Sequence, residues 1–156
     1  DQLVWGIATL KALRGDLKRG LLADLGARVE AEVLGDLLGQ AETLLGEGLP
    51  NQWDHIAAGV LAGAALERWL RSACSTQAPP IPTADANGKP IKASAMIELL
   101  KKAGAYSELD AKQLRLWSGV RNACAHGEVS AVDRAGVSAM VQGVAAFLAR
   151  TGHASP

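Results

Sequence analysis

Between residues 17 and 45, apolar side chains return at helical spacing: Leu17, Leu21, Leu22, Leu25, Val29, Val33, Leu34, Leu37, Leu38, Ala41, Leu44 and Leu45. A stripe repeating every three to four positions predicts one long amphipathic helix. A shorter helical segment over 3–13 is expected before it, with Gly15 and Asp16 as a break and N-cap. Gly46, Gly48 and Pro50 are expected to stop the long helix, and Asn51 to cap the next.

Residues 52–75 are apolar nearly all round, through Ala57, Val60, Leu61, Ala64, Ala65, Leu66, Trp69 and Leu70. Such a helix has no solvent face, and its Ala and Gly residues let neighbours come close, so it is expected at the centre. Residues 77–94 (QAPPIPTADANGKPIKAS) break every period with four prolines and an Asn87-Gly88 turn. Long loops inside compact domains often carry function. Helix resumes over 95–103, ended by Gly104, and over 108–125 with Ser107 as N-cap. In the latter, Leu109, Leu116, Trp117, Val120 and Cys124 are expected to share a face. A last helix is expected after Ser130, paired with Asp133 in a capping-box spacing, burying Val137, Met140, Val141, Val144 and Leu148.

There is no strand-like alternation and no internal repeat, so the fold class is all-α: four main helices in a bundle, an extra N-terminal helix and a proline-rich crossover loop. The organisation expected is a single domain, with 1–50 packing on a bundle formed by 51–150 and a disordered tail over 151–156. The chain opens at Asp1 without Met or a signal-like segment, as a piece of a longer protein or a trimmed chain would.

Composition agrees with helix, since aromatics are only 4% and Ala, Leu, Gly and Val dominate. Charge narrows the partners. With 16 Lys and Arg against 16 Asp and Glu, the formal net charge is zero, so no overall basic field gathers polyanions and any nucleic-acid contact must be local. Cys74 and Cys124 are too few for a disulfide framework and fit reduced thiols of a cytoplasmic protein, although one bridge between them stays open. The apolar run 55–66 is too short to span a bilayer, so no membrane is implied.

The stretch WSGVRNACAHGE, residues 117–128, holds the candidate chemistry. At about 100° per residue, Asn122 and His126 project from nearly the same face, while Arg121 lies about 140° from His126. A helix end at Gly127 would let the histidine swing and the arginine reach round. Imidazole can take a proton from a ribose 2′-hydroxyl or return one to a leaving oxygen. Guanidinium matches a phosphate with paired donors and stabilises the charge that builds on it, and an Asn can orient the imidazole or donate to a phosphate oxygen. The other reading of the same residues is structural: Arg and His in a last helical turn also complement the macrodipole and bond free carbonyls.

The stretch RNACAHG resembles the signature of the HEPN superfamily: an Arg, then a polar residue, then a His a few positions on, late in a small helical bundle. Residues 57–71 (AAGVLAGAALERWLR), 87–104 (NGKPIKASAMIELLKKAG) and 141–150 (VQGVAAFLAR) look like segments of an uncharacterised bacterial branch. About 100 residues, 54–150, are covered, without the N-terminal helices. The resemblance implies a homodimer and a metal-independent endoribonuclease of a defence or toxin-antitoxin system, with RNA and an antitoxin as partners and no cofactor. It makes His126 the general base or acid, Arg121 the phosphate clamp and Asn122 the orienting group. It also implies an auxiliary polar residue, for which Glu67 is the candidate, beside the reading of Glu67 as partner to Arg68 or Arg71. The superfamily contains inactive members that only bind or dimerise, and a purely structural dimerisation bundle is the third reading.

Lys89 and Lys92 can approach a phosphate backbone if the loop folds over the cleft, and are otherwise solvated. The GKP of residues 88–90 lacks the glycine and hydroxyl residue of a phosphate-binding loop. His55 reads as a capping or surface residue, and His153 falls in the tail. No His and Cys spacing suits a metal. Trp5, Trp53, Trp69 and Trp117 read as core or interface anchors, with stacking on a base open to one of them.

Overall fold

The computed structural model describes residues 2–47 and 53–151. Helix α1 spans Gln2–Glu47, α2 Asp54–Ser75, α3 Ala93–Lys102, α4 Glu108–Ala125 and α5 Arg134–Thr151, with a 3-10 turn at Val129–Ala131 before α5. The fold is an all-α helical bundle, and no strand occurs among the described residues. No helix among them is long and apolar enough to cross a membrane.

The expected break at Gly15 does not form, because α1 runs through it unbroken. One glycine costs a helix only about 1 kcal/mol against alanine, and Asp16 forms an ion pair with Arg19 one turn on instead of capping. Contacts divide the chain inside this helix, into residues 1–33 and 34–156. In the first unit the apolar stripe of Leu17, Leu21, Leu22, Leu25 and Val29 is exposed. Gly46 does not stop the helix, which runs on to Glu47, and Thr151, expected in the tail, is the last residue of α5; the stops at Gly48 and Pro50, the cap at Asn51 and residues 152–156 with His153 lie outside the described residues, as does the side chain of Trp5.

In the second unit α2 packs against α3, α4 and α5, which makes it the central helix expected. Its inward face is Ala58, Gly59, Ala62, Gly63, Ala65, Leu66, Leu70 and Cys74, mostly small, so neighbouring helices come close. Helix α5 buries all five residues expected of it and Phe147 besides. Helix α4 differs from expectation. Ala111, Leu114, Trp117 and Cys124 point inward, while Leu109 and Leu116 are exposed. Leu109 and Leu116 sit roughly 140° and 200° round the helix from Leu114, too far for one buried stripe. Among the tryptophans, Trp117 is buried and Trp69 packs edge-on against Phe147, 4.9 Å between ring centroids. Trp53 is exposed and stands beside His55, so it is no core anchor. Cys74 and Cys124 are free and buried, and burial pushes both thiols up.

The helix ends are set by local hydrogen bonds. Ser107 caps α4 in a complete capping box: its hydroxyl accepts from the Asp110 amide at 3.1 Å, and the Asp110 carboxylate accepts from the Ser107 amide at 3.3 Å. For α5 the cap is Asp133 and not Ser130, whose residues are taken up by the 3-10 turn; Asp133 Oδ1 accepts the Gly136 amide at 2.6 Å.

Asp110 also accepts from Arg150 of α5 at 2.6 Å, and this bond, with that from Ser107, holds its carboxyl below the usual carboxylate range. A folded-state pKa below the unfolded one means stability that is present above the unfolded value and lost as pH falls through the folded one. Asp110→Asn therefore lowers stability at neutral pH by about 1 kcal/mol, the worth of a cap, and flattens the acid limb of a thermal-unfolding pH series. An unchanged acid limb would show that the pair carries no linkage.

Candidate active-site cleft at the end of α4

Residues 77–94, between α2 and α3, form a small hairpin rather than a featureless loop. Ala84 and Pro90 bridge antiparallel, the Ile91 amide donates to Thr83 O at 3.0 Å, and Asp85 Oδ1 accepts the amides of Asn87 and Lys89, both at 2.9 Å. Gly88 takes φ +77°, which this turn requires and most side chains resist. Arg71 fastens the hairpin to α2, donating to Thr83 O and Ile91 O, each at 3.3 Å.

Helix α4 ends where the sequence placed its end. His126 is the C-cap residue, Gly127 follows at φ +70°, and the amides of Gly127 and Glu128 bond back to Cys124 O (3.2 Å) and Ala123 O (2.9 Å). This paired closure in a left-handed glycine satisfies the last carbonyls with backbone alone. Side chains of the last turn are thus released from capping. Both Asn122 and His126 are exposed.

Arg121 is positioned from below. Its aliphatic stem crosses α2 at Gly63, where a Cβ would come within 2.0 Å of Arg121 Cγ. The stem occupies the space that any larger residue would fill. The side chain is 37% exposed, and its guanidinium donates to Glu67 Oε2 at 3.3 Å and to Asn122 Oδ1 at 3.1 Å. The other oxygen of Glu67, Oε1, accepts from Arg71 at 2.9 Å. One carboxylate therefore holds two guanidinium groups side by side.

These groups line an open cleft of about 380 Å³ with Pro90, Ile91, Lys92, Ala93, Ser94, Ser118 and His126. The chain as a whole is neutral, but the cleft is not. Arg71, Lys92 and Arg121 stand against Glu67 alone, a net of +2 before His126 is counted. The local cation cluster that a neutral chain needs for a polyanion is present here.

Of the residues singled out in the sequence, Arg121, Asn122, His126, Glu67 and Lys92 all border this cleft. Lys89 is exposed on the hairpin and is not among the lining residues. Glu67 fits both of its readings, as partner of Arg71 and as an acidic wall of the cleft. Arg71 and Ser118 were not among the candidates. Ser118 stands three and four positions before Arg121 and Asn122, so helical spacing alone could have found it. Arg71 was visible only as a counter-ion one turn beyond Glu67, because its hold on the hairpin depends on how residues 77–94 fold back. Among the described residues no three or more His, Cys, Asp or Glu side chains cluster as a metal site would require. Comparison of the chain with family models, with curated proteins and with solved structures finds no match.

Proposed function

We propose that the chain is a HEPN-type, metal-independent endoribonuclease that cleaves RNA by attack of a 2′-hydroxyl on the adjacent phosphorus, as a homodimer in a defence or toxin-antitoxin setting. The observation that carries this reading is the cleft itself: Arg121, Asn122 and His126, one short motif, open into a single cationic space with Arg71 and Lys92. His126 takes the 2′-hydroxyl proton as the 2′-oxygen bonds to phosphorus, and the bond from phosphorus to the 5′-oxygen breaks. An imidazolium returns a proton to that leaving oxygen, giving a 2′,3′-cyclic phosphate and a 5′-hydroxyl. Arg121 faces the non-bridging oxygens, where negative charge grows, with paired donors. For that it must exchange Glu67 for phosphate, and Glu67 can keep Arg71. Single-stranded or loop RNA suits an open groove best.

The test is incubation of the protein with single-stranded RNA in EDTA. Cyclic-phosphate and 5′-hydroxyl ends are expected, and intact RNA, or equal cleavage by the His126→Ala protein, removes the reading. A second reading, a non-catalytic module of the same superfamily that binds RNA, a nucleotide or a protein partner, is favoured by one observation. The Arg121 guanidinium is already engaged by Glu67 and Asn122. Turnover separates the two.

Removing the carboxylate's charge tests both. Glu67→Gln should tighten binding of a single-stranded RNA oligonucleotide about fivefold, since one charge a few ångströms from a phosphate is worth roughly 1 kcal/mol in water. Filter binding at low salt reads this, and affinity that is unchanged would place the RNA elsewhere.

A further inference from the structure

The proposed chemistry uses only part of the charge in the cleft. With His126 left neutral, Arg71, Lys92 and Arg121 against Glu67 make +2, which one phosphate lowers to +1 and a second to zero. The scissile phosphate faces Arg121, and the other two cations stand together beyond it. Arg71 donates to the carbonyl of Ile91 at 3.3 Å, and Lys92 is the next residue along the chain. Bonds to Glu67, Thr83 and Ile91 take three of the N–H groups of the Arg71 guanidinium, which leaves two for a ligand. Lys92 is exposed, and its side chain makes no capping bond to α3.

The carboxylate of Glu67 sets a spacing between the two places. Its Oε2 accepts from Arg121 at 3.3 Å and its Oε1 from Arg71 at 2.9 Å. Nitrogens bonded to the two oxygens of one carboxylate lie within about 8 Å of each other. Successive phosphates of one strand rise about 3.4 Å in a stacked helix and stand roughly 6 to 7 Å apart through space, because the backbone winds round the axis. One nucleotide step therefore fits between Arg121 and the pair formed by Arg71 and Lys92.

We infer that Arg71 and Lys92 form a second phosphate subsite, which takes the phosphate next to the scissile one on the same strand. The inference rests on the reading that puts the scissile phosphate at Arg121. It narrows the substrate to strands with at least two consecutive phosphates. When Arg121 exchanges Glu67 for phosphate, the carboxylate stays with Arg71. Arg71 then supplies N–H donors to the second phosphate, and Lys92 supplies the charge that nothing else compensates.

Two measurements on the full chain test this. The first is affinity for a single-stranded DNA hexanucleotide, which has the phosphates but no 2′-hydroxyl and stays uncut, followed by fluorescence anisotropy over a salt series. Each phosphate neutralised on a single strand adds about 0.7 to the slope of log affinity against log salt. Lys92→Gln should reduce the slope by about that amount, and Arg71→Lys should weaken binding about fivefold with the slope kept, because the charge remains and the planar donors are lost. The second is cleavage of a dinucleoside monophosphate beside the same molecule with one more phosphate at its 3′ or its 5′ end. The added phosphate should raise kcat/KM about fivefold at one of the ends, and Lys92→Gln should cancel the gain. A slope unchanged by Lys92→Gln, affinity unchanged by Arg71→Lys, or cleavage that gains nothing from a phosphate at either end overturns the inference. RNA left intact by a protein whose slope still falls with Lys92→Gln removes the nuclease reading and keeps the subsite, and cleavage with an unchanged slope does the reverse.

Discussion

His126→Ala is expected to lower the single-turnover rate of RNA cleavage by about 10² to 10⁴, the usual worth of a positioned proton-transfer group. The fold should be untouched, because His126 is exposed and the closure of α4 uses its backbone and the glycine after it. Arg121→Ala should cost about 10² to 10³ through loss of charge stabilisation on phosphorus. Arg121→Lys should recover little of that, since an ammonium on a flexible stem does not reproduce the planar pair of donors. Affinity for uncleaved RNA should fall for the arginine variants and hold for His126→Ala, a split that a purely structural helix end does not produce. If the two residues only finish a helix, Arg121→Ala costs on the order of 1 kcal/mol of stability, and neither variant changes any interaction with RNA. Rates with end-labelled RNA in EDTA, taken beside thermal melts of the same preparations, decide between these outcomes. Two variants that melt normally and cleave normally would end the nuclease reading.

How much of this was legible in the sequence depended on the range of the forces involved. Helix α4 was read to its last residue because both of its ends are local: Ser107 with Asp110 at one, Gly127 at the other. The inward face of α5 was legible for the same reason, a clean apolar period. Leu109 and Leu116 misled because an apolar residue on a helix does not say which side the rest of the bundle occupies. Gly15 misled because a glycine's cost is small against a run of good helix formers. In the cleft, Asn122 and His126 followed from spacing within one helix. The meeting of Arg121 with Glu67, 54 residues earlier, did not. It rests on the approach of α4 to α2, and the sign of that approach was only the many small residues of α2. The hold of Arg71 on the hairpin was further still from reach, because a proline-rich segment has no period from which its path could be read.

That approach can be tested at one residue. Gly63→Ala would place a Cβ 2.0 Å from Cγ and 2.6 Å from Cβ of Arg121, both far inside contact distance. The Cγ can turn away with its rotamer. The Cβ cannot, since it is fixed to the α4 backbone, so α4 must move off α2 or the two helices must slide. Alanine is otherwise the better helix former by about 1 kcal/mol, and an unobstructed site would therefore be stabilised. The expectation here is the reverse: a net loss of about 1–3 kcal/mol from overpacking, read as a lower melting temperature. Cleavage should fall with it, because the same displacement carries the guanidinium away from Glu67 and Asn122 while His126 stays chemically intact. Combining Gly63→Ala with Arg121→Ala should relieve only part of the loss, since the shorter side chain still keeps the Cβ. Arg121→Gly in its place should relieve more, at the cost of a second helical glycine. A coupling of about 0.5–3 kcal/mol between the two positions is expected from residues in direct contact. Simple additivity, or a Gly63→Ala protein that melts higher, would mean that α4 does not lie on α2 at this point, and that the arginine reaches the cleft by another path.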